Sequence, residues 1–332
     1  MLKAVFSQVL KLAGTMGLLQ VGTVCVDGTK LLADAAKRPT LDWEQLEEAE
    51  ERIQQQIEGL LQEAEVADGR PESDPGSLPR ELASRQKLKE KFSQARALLG
   101  EVVEQRAEAR ERERQQWKAH PMGDDPRPLS PQPRPKDRIN LTDPQCALMP
   151  LNSGGYAPGY NGQVAITGQR RGLILATHVC AHTNDRQQLL RMAELTKAAA
   201  SEVEQIVVDT GYDHARQIAQ VQGTIGVDVY CPPQEAPKRE GPLKGRVSKI
   251  RKVANERAQK VRAQMRERVS SERGKELMEL RKTTVEPAFG TIKSVLGFRR
   301  FSLRGLEKVN TEWELVAVAF NCRRIARQLG GN

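Results

Sequence analysis

Three carboxylates and a cluster of cations are the residues in this chain whose types and spacing could do chemistry. Asp27 closes the apolar run VGTVCVD, Asp209 closes IVVD, and Glu286 stands in KTTVEPAFGTIKSVLGFRRF. Asp27 and Asp209 lie 182 residues apart and Asp209 and Glu286 lie 77 apart, so only tertiary folding can join them. Acids at strand C-termini of an α/β sheet commonly line a crevice at its edge. Three carboxylates meeting there repel one another unless a divalent cation joins them. Mg²⁺ or Mn²⁺ suits that role, with hard oxygen ligands and positions left for water and phosphate oxygens. Two such ions about 4 Å apart can activate an attacking oxygen and stabilise a leaving one, which is phosphodiester chemistry. Lys293 follows Glu286 by seven residues, two helical turns or about 10.5 Å, which puts both on one face. Arg281 precedes Glu286, and Arg299, Arg300 and Arg304 crowd the exit of the segment. The bland alternative is that an Asp after a strand caps the next turn, and it applies to Asp27 and Asp209 taken singly.

These residues need elements to hold them. The pattern predicts a helix to about Ala13, a strand over 21–26 ending at Asp27, strands over 163–167 and 172–177, and a helix over 185–203 capped by Asn184 or Asp185. It then predicts a short strand over 205–209, a helix over 215–221, a strand over 227–230 and a basic helical region over 244–280. Glu286 falls on a short helix, 285–296, with Thr284 as N-cap, Pro287 in the first turn and Gly297 at C′. A closing helix spans 313–326. Strands alternating with helices indicate an α/β core.

Between the first strand and the rest, composition shifts abruptly. Residues 41–65 place Leu46, Ile53, Ile57 and Leu60 at helical spacing, and 82–117 do the same with Leu88, Phe92, Ala95, Leu99 and Val102. DGRPESDPGSLP between them reads as a turn. The region 38–118 is therefore expected to be an inserted helical hairpin, followed by a Pro-rich linker over 119–136. It is either a solvated insertion or an arm for dimerisation.

Charge follows the same division. Lys plus Arg is 52 against 43 acids, a net charge of +9, which favours a polyanionic partner. From Leu41 to Arg70 there are ten acids and two bases, whereas Lys238 to Lys282 carries sixteen bases and six acids. The five cysteines stand singly with no CxxC pair, so no disulfide framework or zinc site is implied and a reducing cytosol is expected. His178 and His182 are spaced i, i+4 but in an apolar strand-to-loop context, where packing is the expected role. No run of about 18 apolar residues occurs, which argues against a membrane span.

Several segments together resemble a bacterial insertion-sequence transposase with a DDE catalytic core of the ribonuclease H type. They are VCVDGTKLLADAAK, NLTDPQCALMP, GGYAPGYNGQVAI, THVCAHTNDRQQL, VVDTGYD and the long C-terminal segment from Lys282 to Arg324. The resemblance covers 1–37 and 139–328. It implies a ribonuclease H-like mixed sheet flanked by helices, with the hairpin inserted and the core formed by 1–37 and 137–332, including a basic segment over 236–282. It implies Asp27, Asp209 and Glu286 as the catalytic, metal-binding triad for Mg²⁺ or Mn²⁺, two ions in all. Arg281, Lys293, Arg299, Arg300 and Arg304 become DNA contacts. The implied activity is metal-dependent cleavage at insertion-sequence ends and strand transfer into target DNA, performed by a homodimer in a synaptic complex at the nucleoid. The signature tyrosine expected near Met278 is absent, and the chain starts 26 residues before Asp27, so the resemblance implies an N-terminally truncated member. The alternative is a catalytically inactive remnant that binds DNA or full-length transposase. A hydrolytic nuclease on the same core is a third reading.

Overall fold

The computed structural model describes residues 2–67, 77–151, 154–169, 171–234 and 249–330. The chain divides into two compact units: Met1–Asp34, Gln115–Pro126 and Ala147–Asn332 form the first, and Ala35–Arg114 and Arg127–Cys146 the second. In chain order the elements are α1 (Leu2–Thr15), β1 (Thr23–Leu32), β2 (Thr40–Asp42), α2 (Trp43–Ala67), α3 (Ser77–Ala119), β3 (Arg138–Asn140), β4 (Ala147–Pro150), β5 (Tyr156–Thr167), β6 (Ile174–Cys180), α4 (Leu189–Ala199), β7 (Gln205–Val207), α5 (Ala215–Gln220), β8 (Asp228–Tyr230), α6 (Lys249–Ser270), α7 (Glu272–Gly290) and α8 (Leu306–Leu329).

The first unit is built on a mixed sheet flanked by helices. β1 pairs antiparallel with β5 and parallel with β7, and β8 continues parallel to β7. Along the other edge of β5, β4 joins its first half and β6 its second. Alternation along β1 sends side chains to two layers. Val24 and Val26 pack with Ala165, Met192, Ile206 and Ile218 on one face. Cys25 packs with Val207, Leu277 and Val285 of α7 on the other.

The outer edge of β6 is covered by α8 in a way that spacing explains. Asn310 accepts from the Val179 N–H at 2.8 Å and donates to its carbonyl at 3.1 Å. Asn321 does the same for Ile174 at 2.8 and 2.9 Å. Eleven helical residues rise about 16.5 Å, and five strand residues advance about the same distance, so two side-chain amides reach both ends of the strand. An unpaired strand edge is thereby closed.

In the second unit, α2 and α3 lie antiparallel. Glu50 pairs with Arg96 at 2.6 Å and Gln54 accepts from Lys89 at 2.5 Å. Leu46 packs with Ala95, Leu99, Val103 and Ile139. Most of the expected turn, 68–76, lies outside the described residues, and Ser77 to Pro79 already belong to α3.

Four local expectations are corrected. β1 does not end at Asp27 but runs on to Leu32, because β5 offers partners through Gly159. Glu286 is not on a short separate helix. It lies deep in α7, whose N-cap is Ser271, accepting from Gly274 N at 3.0 Å. Thr284 caps nothing; its hydroxyl donates to the Leu280 carbonyl at 2.6 Å, as a mid-helix threonine can, and Pro287 sits inside the helix. α4 starts at Leu189 rather than at Asp185. Past α7, a π turn over Thr291–Val295 leads to Gly297, whose φ of +70° ends the segment in the left-handed region.

Candidate functional site

The first unit gathers a polar cluster where β1, β5 and β7 meet the turn before α4 and the flank of α7. Asp27 and Gly28 stand on β1 opposite Val164 and Gln163 of β5. Asp27 accepts from Gly28 N at 2.7 Å through one oxygen and from Arg281 Nη1 at 2.8 Å through the other. Their side chains are only 17% and 11% exposed, so this ion pair is shielded from water. Burial pushes the Asp27 carboxyl up from its ordinary 3.8 to about 6; Arg281 opposes that rise and the Asp209 charge adds to it. Desolvation therefore outweighs the ion pair. The neighbouring Cys25 thiol is pushed up to about 12 by burial and stays protonated.

Asp209 follows β7 and acts as the cap of a single 3₁₀ turn, accepting from Gly211 N at 2.8 Å. Glu286 is exposed on α7. A further acid, Asp185, completes the cluster. It accepts from Asn161 Nδ2 at 2.7 Å and Gln163 Nε2 at 2.6 Å, and lies 3.9 Å from Lys30 Nζ. Gln163 in turn accepts from the Tyr212 hydroxyl, whose pKa is raised by burial and by the charges of Asp185, Asp27 and Asp209. Gly28 is required here: a Cβ on it would run into the ends of Gln163, Asp185 and Asn161. None of Asn161, Gln163 or Tyr212 was singled out from sequence, and Asp185 was read only as a cap. The available signal was two polar residues alternating inside YNGQVAI, an apolar strand.

The expected metal ions do not fit this arrangement. Among the described residues, no three His, Cys, Asp or Glu side chains come together so as to hold a metal. Arg281 takes one Asp27 oxygen, a backbone N–H holds Asp209, and amides and Lys30 hold Asp185. A guanidinium balances the buried carboxylate in place of a divalent ion. This overturns the expectation of Mg²⁺ or Mn²⁺, and with it metal-dependent cleavage, strand transfer, transposition and recombination, and the assignment of the chain as a DDE-type enzyme.

The expected DNA contacts divide into two groups. Arg281 faces inward on Asp27, and Arg304 pairs with Asp34 at 2.8 Å. Lys293 is half-buried, and its ammonium pKa is lowered by burial and by Arg299. Arg299 donates through Nε to the Lys293 carbonyl at 3.0 Å, and the exposed Arg300 bridges to Leu32 of β1. Burial, with Arg191 and His182, lowers the His178 pKa.

The cations and α7 fall inside a recognisable stretch. Residues 229–326 match the family model described as Transposase DDE domain. The match takes in β8, α6, α7 and most of α8, and with them Arg281, Glu286, Lys293 and Arg299 to Arg304; Asp27 and Asp209 lie outside it. No curated protein and no solved structure matches the chain. Among the described residues, no helix is long and apolar enough to cross a membrane.

Proposed function

We propose that this chain is a DNA-binding protein of the DDE-transposase kind that performs no metal-dependent cleavage. The observation carrying this reading is the trio Lys293, Arg299 and Arg300, which lies inside the transposase-matched stretch. Among the described residues no carboxylate pairs with any of them. Cations without counter-ions, Arg299 and Arg300 exposed and Lys293 half-buried beside them, favour a phosphate backbone, and such contacts set affinity rather than sequence preference. The sheet order β6-β5-β1-β7-β8, antiparallel on one side of β1 and parallel on the other, supports a ribonuclease H-like arrangement. With Asp27, Asp185 and Asp209 each held by an internal partner, the fold keeps the shape of a phosphodiester-processing core and uses it to bind.

The test is fluorescence anisotropy of a labelled duplex over a range of KCl concentrations. Lys293→Gln, Arg299→Gln and Arg300→Gln together are expected to lower the slope of log K against log salt by about 2.7, at roughly 0.9 per phosphate contact. An unchanged slope would refute the assignment of the trio. In parallel, supercoiled plasmid with Mg²⁺ or Mn²⁺ is expected to stay intact with wild type and with Asp209→Asn alike. Nicking by wild type that Asp209→Asn abolishes would overturn the non-catalytic part.

A further inference from the structure

A second group of cations lies at the other end of β6 from the Asp185 cluster. Cys180 of β6 pairs with Asn161 at the cluster end, while Ile174 is held by Asn321 near the C-terminal end of α8. Six residue steps at about 3.3 Å each separate the two ends by about 20 Å. At that far end stand Arg323, Arg324 and Arg327 of α8 and Arg171 of the β5–β6 turn. The turn is fixed to the helix: Arg171 Nη1 donates to the Arg327 carbonyl at 2.9 Å, and Gln328 Nε2 donates to the Arg171 carbonyl at 3.0 Å.

Arginines at a helix C-terminus are ordinarily explained by the last carbonyls and the helix dipole. That accounts for Arg171 and Arg327 but not for Arg324. Along α8, Trp313, Ala317 and Phe320 are buried at helical spacing, and the next position on that face is Arg324. The period calls for an apolar residue there, yet a guanidinium lies over the Phe320 ring, 5.0 Å from its centroid. The Nε atoms of Arg323 and Arg324 are buried without a hydrogen-bond partner. The charges Arg324 senses are Arg327 and Arg171, and burial with these like charges lowers its pKa. Among the described residues no carboxylate pairs with any of the four. Half-burying a cation beside two others is unfavourable unless an anion completes the site.

We propose that Arg171, Arg323, Arg324 and Arg327 form a second phosphate-binding site, which grips a nucleic-acid backbone apart from the Lys293–Arg300 loop. The choice of ligand rests on the DNA-binding reading above. Forked guanidiniums suit phosphate oxygens, and a patch built of arginines lacks the apolar centre that a protein partner requires.

The full chain and its variants are titrated with a labelled 30-bp duplex across KCl concentrations, beside the loop triple variant. Arg171→Gln with Arg324→Gln is expected to lower the salt slope by about 1.8, two contacts' worth, and Arg324→Lys to retain most of it. Arg171→Gln alone, at an exposed position, is expected to lower it by about 0.9, which serves if the double variant does not fold by circular dichroism. If the Arg171 and Arg324 variants leave the slope unchanged while the loop triple lowers it, this second site is overturned and the DNA reading stands. If only the Arg171 and Arg324 variants lower it, the second site stands and the loop assignment falls. No DNA binding by wild type overturns both. Displacement of the duplex by millimolar inorganic phosphate only when Arg171 and Arg324 are present would mean a free-phosphate site and overturn the proposal. Stronger competition by an acidic peptide of equal charge would likewise overturn it.

Discussion

Asp27→Asn should change the sign of its effect on stability between pH 4 and pH 7. The Asp27 carboxyl holds its proton to about pH 6 in the fold against 3.8 ordinarily, because burial outweighs the attraction of Arg281. The folded chain thus binds this proton more tightly than the unfolded chain. The stability the group contributes is complete below pH 3.8 and is lost as pH rises through about 6. At about 1.4 kcal/mol per tenfold, the loss by pH 7 is on the order of 3 kcal/mol. An asparagine never ionises and so escapes that loss. Its carbonyl replaces one carboxylate oxygen and its NH₂, a donor only, the other, so Gly28 N or Arg281 Nη1 loses its acceptor, which costs about 1 kcal/mol at every pH. The net expectation is a gain of about 2 kcal/mol at pH 7 and a loss of about 1 kcal/mol at pH 4. Because the chain has two compact units, a single unfolding transition is a poor reporter. Amide hydrogen exchange over Val24 to Lys30, compared between wild type and variant at the same pH, reads the local effect. Protection is expected to rise about 30-fold at pH 7 and to fall several-fold at pH 4. A variant that loses protection at pH 7 as much as at pH 4 would show that the Arg281 pair, not desolvation, governs the site.

Two further substitutions test how the site is held. Gly28→Ala pushes a methyl group into the ends of Gln163, Asp185 and Asn161. It is expected to cost about 1–3 kcal/mol in hydrogen-exchange protection of the flanking strand residues, partly recovered by shortening Gln163 in the same chain; additive effects of the two changes would contradict the crowding. Ser271→Ala removes the cap that accepts from Gly274 N. It is expected to cost about 1 kcal/mol in hydrogen-exchange protection over the first turns of α7, with Ser271→Thr largely sparing it.

What could be read from the chain was what depends on period and local chemistry. Apolar runs marked β1 and β7 and parts of β5 and β6, helical spacing marked α2 and α3, and Gly297 ended its segment in the left-handed region that glycine allows. Less legible was anything a distant partner decides. The first strand was expected to end at Asp27, yet β5 carries β1 past it, and the missing side chain of Gly28 makes room for Gln163 and Asp185. Pro287 looked like the first turn of a new helix, yet packing of Leu277, Val285 and Ala288 keeps α7 continuous from Ser271 onward. The same limit governs the site. Asp27 and Arg281 are 254 residues apart, and no local pattern says that one will neutralise the other. Read locally, Arg281 is one more cation ahead of a basic loop; in the fold it is the counter-ion of Asp27, a largely buried carboxylate of the expected triad. Charge type and spacing therefore singled out Asp27 and Arg281 as candidates, while the partner of each charge, which decides between holding a metal and closing on itself, was set by tertiary contacts.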